Sequence, residues 1–318
     1  MRILYIYKDY FGRRKVYGKY LKENGHKIIY LEKKHKQIKD QITVKEIKDA
    51  NPDLIWLLSP FYIKYNPIAM EYIHSKKIPI VFYHGVGGRF PYTDWIDVWK
   101  QFSIIFSVPY DLHEYLLKNR INSYHMPFGF HPNQYFKSKG NKKYNISFAG
   151  TIDSSVNPKK DYRCIYMNSL KKYKKVAVFG TSFKNKLDKN ITIKKCQTHE
   201  EQRYAYSITK INLELPFFSG ACSFMKNKYH FRNRFFEIPA TGNFMLSLKT
   251  PEFLEIFDED TIGYYDNNIG SLKENVNKYL KDENLRKKMA EKAYKLVHQK
   301  HTFYHRFKEM CKIIKKDL

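Results

Sequence analysis

RNRFFEIPATGNFMLSLKTPEFLEIF, residues 232–257, is the stretch whose reading decides the fold. Arg234 to Ala240 reads as a helix, Thr241-Gly242-Asn243 as its stop, and Phe244 to Leu248 as a strand of the continuous apolar kind that parallel sheets bury on both faces. A helix turning straight into such a strand is one corner of an α/β repeat, and open α/β sheets bind their ligands at strand edges. Arg232, Arg234 and Glu237 are spaced so that one site can receive all three. Guanidinium forks match the oxygens of a diphosphate, and a carboxylate accepts both hydroxyls of a ribose, so these residue types suggest nucleotide-sugar binding. The competing reading is a solvated helix face on which Glu237 is a surface partner of the arginines.

The rest of the chain repeats the same alternation. Arg2 to Tyr7 is a strand, Val16 to Glu23 a helix closed by Asn24-Gly25, and His26 to Leu31 a second strand, which makes a βαβ unit. Strands follow at Leu54 to Leu58, Ile80 to Tyr83, Ser103 to Val108 and Ser123 to Met126, with helices at Thr43 to Ala50, Pro67 to Ser75 and Tyr110 to Lys118. Such spacing implies a parallel, right-handedly wound, Rossmann-like sheet. The polar run from Phe130 to Lys143, with Pro132 and Gly140, reads as an interdomain linker. A second alternating series begins with strand Tyr144 to Ala149 and continues through strands at Lys175 to Phe179, Ile191 to Lys194 and Ile211 to Leu215. The expected domains are therefore 1–135 with a returning helix at 302–318, and 143–301.

A chain of 318 residues suffices for two such cores, and 43% hydrophobic residues exclude disorder despite a net charge of +27. That charge suits nucleic acid, an anionic membrane surface or an acidic acceptor, but richness in Lys, Ile, Asn and Tyr is also what AT-rich coding produces. Cys164, Cys196, Cys222 and Cys311 show no metal-ligand spacing and read as reduced thiols. No signal region and no apolar run of transmembrane length is found, so a cytoplasmic protein is expected, with any membrane contact peripheral.

Several loops carry candidate chemistry. His84 heads the glycine-dense His84-Gly85-Val86-Gly87-Gly88-Arg89 after a strand, where an imidazole can approach a sugar hydroxyl and take its proton; the plain alternative is a loop-capping histidine. Asp94 and Asp97 are further candidate bases, although a helix N-cap accounts for Asp94 equally well. The loop Phe217 to Tyr229 has the aromatic and Met content of a nucleobase slot or of ordinary core.

Taken together, Arg-x-Phe-Glu-x-x-Ala-x-Gly over residues 234–242, the apolar strand after it, Thr250-Pro251-Glu252 and Gly263-Tyr264-Tyr265-Asp266 resemble the signature block of CgeB-type (spore-maturation-like) glycosyltransferases, a branch of the GT-B superfamily. The likeness runs on through Leu285 to His298 and His301-Thr302-Phe303-Tyr304-His305-Arg306; the first half of the chain follows the family in outline only. The resemblance implies two Rossmann-like domains whose parallel sheets face a central cleft, with a C-terminal helix crossing back to the first domain. A membrane-surface role is the alternative for that basic amphipathic helix. It further implies a donor site built from Gly12, Arg13, Gly150, Thr151, Arg163, Gly180, Thr181, Arg232, Arg234, Glu237, Thr241, Gly242 and Asn243, with His84, Asp94 and Arg234 in catalysis.

One departure stands out. Family 4 retaining enzymes carry Glu-x7-Glu, and aligning Glu237 with the second glutamate puts Tyr229 at the first, which leaves donor sugar and stereochemistry open. Asp258-Glu259-Asp260 follows a helix rather than a strand, so metal-independent chemistry is expected, with arginines and helix N-termini offsetting the charge of the leaving diphosphate. The implied activity is transfer of a sugar, expected to be UDP-linked, to a glycan, polymer or other hydroxyl acceptor, with no cofactor beyond the donor. The alternatives are a nucleotide-sugar epimerase on the same fold and a basic nucleic-acid-binding module without catalysis.

Overall fold

Short strands alternate with helices throughout a computed structural model that describes residues 1–7, 15–33, 41–59, 62, 66–84, 95–152, 161–180, 187–215 and 232–318. The chain forms two units, Met1–Phe128 with Phe303–Leu318, and Gly129–Thr302. In the first unit the elements run β1 (Arg2–Tyr7), α1 (Lys15–Glu23), β2 (Lys27–Glu32), α2 (Val44–Ala50), β3 (Leu54–Leu57), α3 (Pro67–Ser75), β4 (Ile80–His84), α4 (Ile96–Trp99), β5 (Ile104–Ser107), α5 (Tyr110–Lys118) and β6 (Ser123–His125). The sheet order is β2-β1-β3-β4-β5-β6 and every pair is parallel. Strand order reverses between β1 and β3, the kind of switch point at which open α/β sheets take ligands. Local signals set the helix ends: Thr43 and Glu46 form a capping box before α2, Asn66 caps α3 with Pro67 in its first turn, and Asn51 closes α2 in the left-handed conformation at φ 41°.

The second unit runs β7 (Tyr144–Ala149), α6 (Tyr162–Ser169), β8 (Val176–Gly180), β9 (Thr192–Lys195), α7 (His199–Ser207), β10 (Thr209–Glu214), α8 (Arg234–Ala240), β11 (Met245–Leu248), α9 (Pro251–Leu254), β12 (Gly263–Tyr265), α10 (Ile269–Lys281) and α11 (Glu283–Lys300). Its sheet, β12-β11-β10-β7-β8-β9, is again wholly parallel. Side chains alternate across a strand, so Ile146, Phe148, Ile211, Leu213, Leu246 and Leu248 share one face and form the core with Met167, Leu272 and Val276. Register puts Ser147 beside Asn212 and Ser247 beside Glu214 on the opposite face. That face is polar, although all four residues are buried.

Residues 130–143 are not a linker. Phe130 and Tyr135 are fully buried within the second unit, where the Phe130 ring lies 4.8 Å from that of His298. The Tyr135 hydroxyl donates to Gln202 Oε1 at 2.6 Å and lies 2.7 Å from His199 Nδ1. Two aromatic anchors outweigh the polar composition on which the linker expectation rested.

The last helix, α12 (Phe303–Asp317), belongs to the first unit, as the expected crossing requires. Its face of Phe303, Phe307, Met310 and Ile314 is buried, and the Phe307 ring meets Tyr20, Trp56 and Tyr83 at centroid distances of 6.0, 5.6 and 6.1 Å. With that face covered by the first unit, the membrane-surface alternative for this helix loses the surface it needs. Among the described residues, no helix is long and apolar enough to cross a membrane.

One histidine of this unit makes the fold acid-sensitive. Burial holds the His125 imidazole down to about 4, partly opposed by its hydrogen bond with the Val108 carbonyl at 3.2 Å. A depressed folded value means that the unfolded chain binds the proton more tightly, so this contribution to stability is lost as pH falls from the ordinary histidine range toward about 4. His125→Gln should flatten the acid limb of a melting-temperature profile over that window; an unchanged limb would show that other groups set it.

Candidate active site

At the C-terminal edge of the second sheet, three chain segments converge on one aromatic ring. Phe148 is the penultimate residue of β7, and Gly150 follows the strand directly. The guanidinium of Arg234, from the first turn of α8, stands 4.8 Å from the Phe148 ring centroid, and that of Arg163, from α6, stands 5.6 Å away. A Cβ on Gly150 would lie 2.7 Å from Arg234 Nη1 and 2.8 Å from Phe148 Cζ. Glycine is needed here for space, so that a guanidinium can cross the backbone.

Arg234 is not free to fork onto a ligand, as the sequence alone suggested. Its Nε donates to Glu214 Oε2 at 2.8 Å and its Nη2 reaches Oε1 at 3.4 Å. The Glu214 side chain is 0% exposed and that of Arg234 11%, so this is a buried, two-point ion pair. Burial alone would lower the affinity of Arg234 for its proton; Glu214, with Tyr206 and Glu237, more than offsets this and holds the group above its ordinary value.

Arg163 is held differently. Its Nη1 donates to the Thr151 carbonyl at 2.9 Å and its Nε to the Leu215 carbonyl at 3.2 Å, while Asp161 caps α6 by accepting from the Arg163 and Cys164 amides. Burial first, and then the neighbouring Arg234 charge, push the Arg163 guanidinium down to about 10. The Arg234 charge thus disfavours the charged form of Arg163, and an anion placed beside Arg163 would offset that.

Glu237 lies one turn along α8 from Arg234, on the same side of the helix, and is buried. Its charge is felt by Arg234, by the buried Tyr206 hydroxyl and by the Cys196 thiol, which burial and then Glu201 and Glu237 push up to about 11. Gly180 ends β8 at the same edge, and its carbonyl accepts from the Cys196 amide at 3.3 Å. A buried carboxylate and two guanidiniums beside Gly150 are residue types that suit a ribose-diphosphate.

Other sequence candidates fall elsewhere. Thr241, Gly242 and Asn243 stand at the opposite end of α8, at the N-terminal edge of the sheet, because the helix runs antiparallel to the strands. There they serve the helix stop: Gly242 has φ +71°, Thr241 Oγ1 donates to the Ile238 carbonyl, and Asn243 donates to Thr241 and accepts from Lys142. Arg232, described and half-buried, precedes α8 at the same end as Arg234. The described part of His84 is its backbone, the last position of β4 and register partner of Ser107. Gly12, Arg13, Asp94, Thr181 and Tyr229 lie outside the described residues, as do residues 217–228. Glu214 is the residue that the sequence reading missed. Its signal was an acid closing a strand whose alternate positions are apolar, in Ile211-Asn212-Leu213-Glu214-Leu215.

Among the described residues, no group of three or more His, Cys, Asp or Glu is gathered as a metal would require. No curated protein matches the sequence. Residues 163–312 match the family described as "Glycosyl transferase-like". Among solved structures, a glycosyltransferase from Rickettsia africae superposes with TM-score 0.69 at 14% identity over 99% of this chain and 98% of that one. Anabaena HepE in complex with UDP and glucose gives 0.68 at 12% over 99% and 100%. An alpha-glucosyltransferase in complex with UDP and a DNA 13-mer containing an HMU base gives 0.67 at 16% over 99% of each chain. The chain thus has the two-unit α/β fold of GT-B glycosyltransferases along its length, and its second unit carries, from Arg163 onward, a glycosyl transferase-like region.

Proposed function

We propose that this chain is a glycosyltransferase of the CgeB type, moving a sugar from a uridine-diphosphate donor to a hydroxyl-bearing acceptor without a bound metal. The observation that carries the reading is Arg234 packed against Gly150 at the sheet edge, one helical turn from the buried Glu237. In this reading Glu237 accepts the ribose hydroxyls, and Gly150 leaves the room in which Arg234, beside Arg163, turns Nη1 toward the diphosphate. The acceptor oxygen forms a bond to the anomeric carbon as the bond from that carbon to the β-phosphate oxygen breaks. The electron pair leaves with the diphosphate, whose growing charge the two guanidiniums stabilise. His84 or Asp94 takes the acceptor's proton. Uridine as the base is supported by UDP in the HepE and alpha-glucosyltransferase structures, which share the fold. The assigned domains are those of the two units, and a cytoplasmic setting agrees with the free thiols of Cys164, Cys196 and Cys311.

Calorimetry with UDP tests the donor site. Glu237→Ala should weaken UDP binding by about 10-fold or more, the scale of lost hydrogen bonds to a charged group. Unchanged affinity would remove the ribose role. Incubating a UDP-sugar with the enzyme alone separates transfer from epimerisation, since only an epimerase yields an altered UDP-sugar without acceptor.

A further inference from the structure

We propose that Glu214 is a built-in counter-anion for Arg234, a positioning residue that competes with the donor's diphosphate for the guanidinium and so keeps the nucleoside diphosphate product from being held too tightly. This inference rests on the donor-site reading above and deepens it. Glu214 meets Arg234 through Nε and Nη2, at 2.8 and 3.4 Å, which directs the remaining Nη1 to the gap over Gly150. A diphosphate arriving at Gly150 therefore meets a single prong of a guanidinium that is already paired with a fully buried carboxylate. Arg163 has its Nε and Nη1 on the Leu215 and Thr151 carbonyls and, among the described residues, no directly bonded carboxylate, so the two arginines present unequal charge to the same place. Geometry and charge are thus separable at Glu214: its shape aims Arg234, and its charge weakens the grip.

An isosteric neutral replacement separates them experimentally. Glu214→Gln keeps an oxygen that can accept from Arg234 Nε while removing the charge. UDP affinity should rise by about 10-fold, the order expected for deleting a nearby like charge at intermediate dielectric. Uridine affinity should stay unchanged, because uridine lacks the phosphates. In steady state, turnover should fall as UDP release slows, and KM for the donor should fall with it. The thermal signature is equally specific. Without UDP the variant should melt below wild type, since the partner of Arg234 loses its charge, and UDP should raise its melting temperature by more than it raises that of wild type. A merely architectural glutamate predicts the reverse, namely weaker UDP binding and a smaller UDP-induced shift, and that outcome overturns the proposal. So does UDP affinity equal to wild type. Should Glu214→Gln not accumulate as folded protein, Glu214→Asp, which withdraws the charge by one methylene, is read on the same measurements and should tighten UDP by a smaller factor. Failure of wild type itself to bind UDP would instead overturn the donor-site reading.

Discussion

Arg234→Met should destabilise the second unit by about 3–5 kcal/mol and abolish measurable transfer, the largest effect expected from any single change described here. The size follows from what stays behind. Glu214 is fully buried at the end of a central strand, and its two-point contact with Arg234 is the direct ion pair that justifies an ionised carboxylate there. Methionine fills much of the arginine's volume but returns no donor, so the fold must bury an orphaned charge or protonate it. Adding Glu214→Leu to the same chain removes the orphan and should recover most of the stability, because a buried ion pair is often replaceable by apolar residues of similar volume. Activity should not return. A double variant as unstable as the single one would mean that the loss comes from packing on Phe148 and not from charge.

Gly150→Val should act on the same pair from the other side, lowering transfer by about 100-fold or more, comparable to loss of a transition-state hydrogen-bond donor. The first added carbon already meets Arg234 Nη1 at 2.7 Å and Phe148 Cζ at 2.8 Å. Neither neighbour yields easily, since Glu214 pins the first and the apolar core holds the second. The overpacking should cost about 1–3 kcal/mol of stability, well short of unfolding the domain. Gly150→Ala should give an intermediate result, and uridine binding should survive in both, because Glu237 reaches the site from a different element. Wild-type transfer by Gly150→Val would show that the guanidinium does not need this gap.

How much of this was legible in the sequence depends on whether the signal was local. Continuous apolar runs such as Leu54 to Leu57 and Met245 to Leu248 announced buried parallel strands, and Gly242 announced the end of α8. Arg234, Glu237, Gly150 and Arg163 were each picked out, and the fold brings them to one sheet edge. Their mutual geometry was not legible. Glu214 lies 20 residues before Arg234, and only the tertiary pairing turns an acid in a strand into the partner that occupies the fork. Thr241 to Asn243 erred for the converse reason: they are neighbours of Glu237 in sequence, but α8 rises about 1.5 Å per residue and carries them to the far edge. Residues 130–143 misled because composition was averaged over the stretch, whereas Phe130 and Tyr135 alone decide where it packs.

The return of Phe303–Asp317 to the first unit also sets an order of events during translation. Tyr20, Trp56 and Tyr83 emerge from the ribosome early but must wait for Phe307, more than two hundred residues later, before their surface is sealed. The intervening unit, whose own ends meet where Phe130 pairs with Thr302, is complete a few residues sooner, so the amino-terminal half should be the last to close and the one that chaperones hold longest.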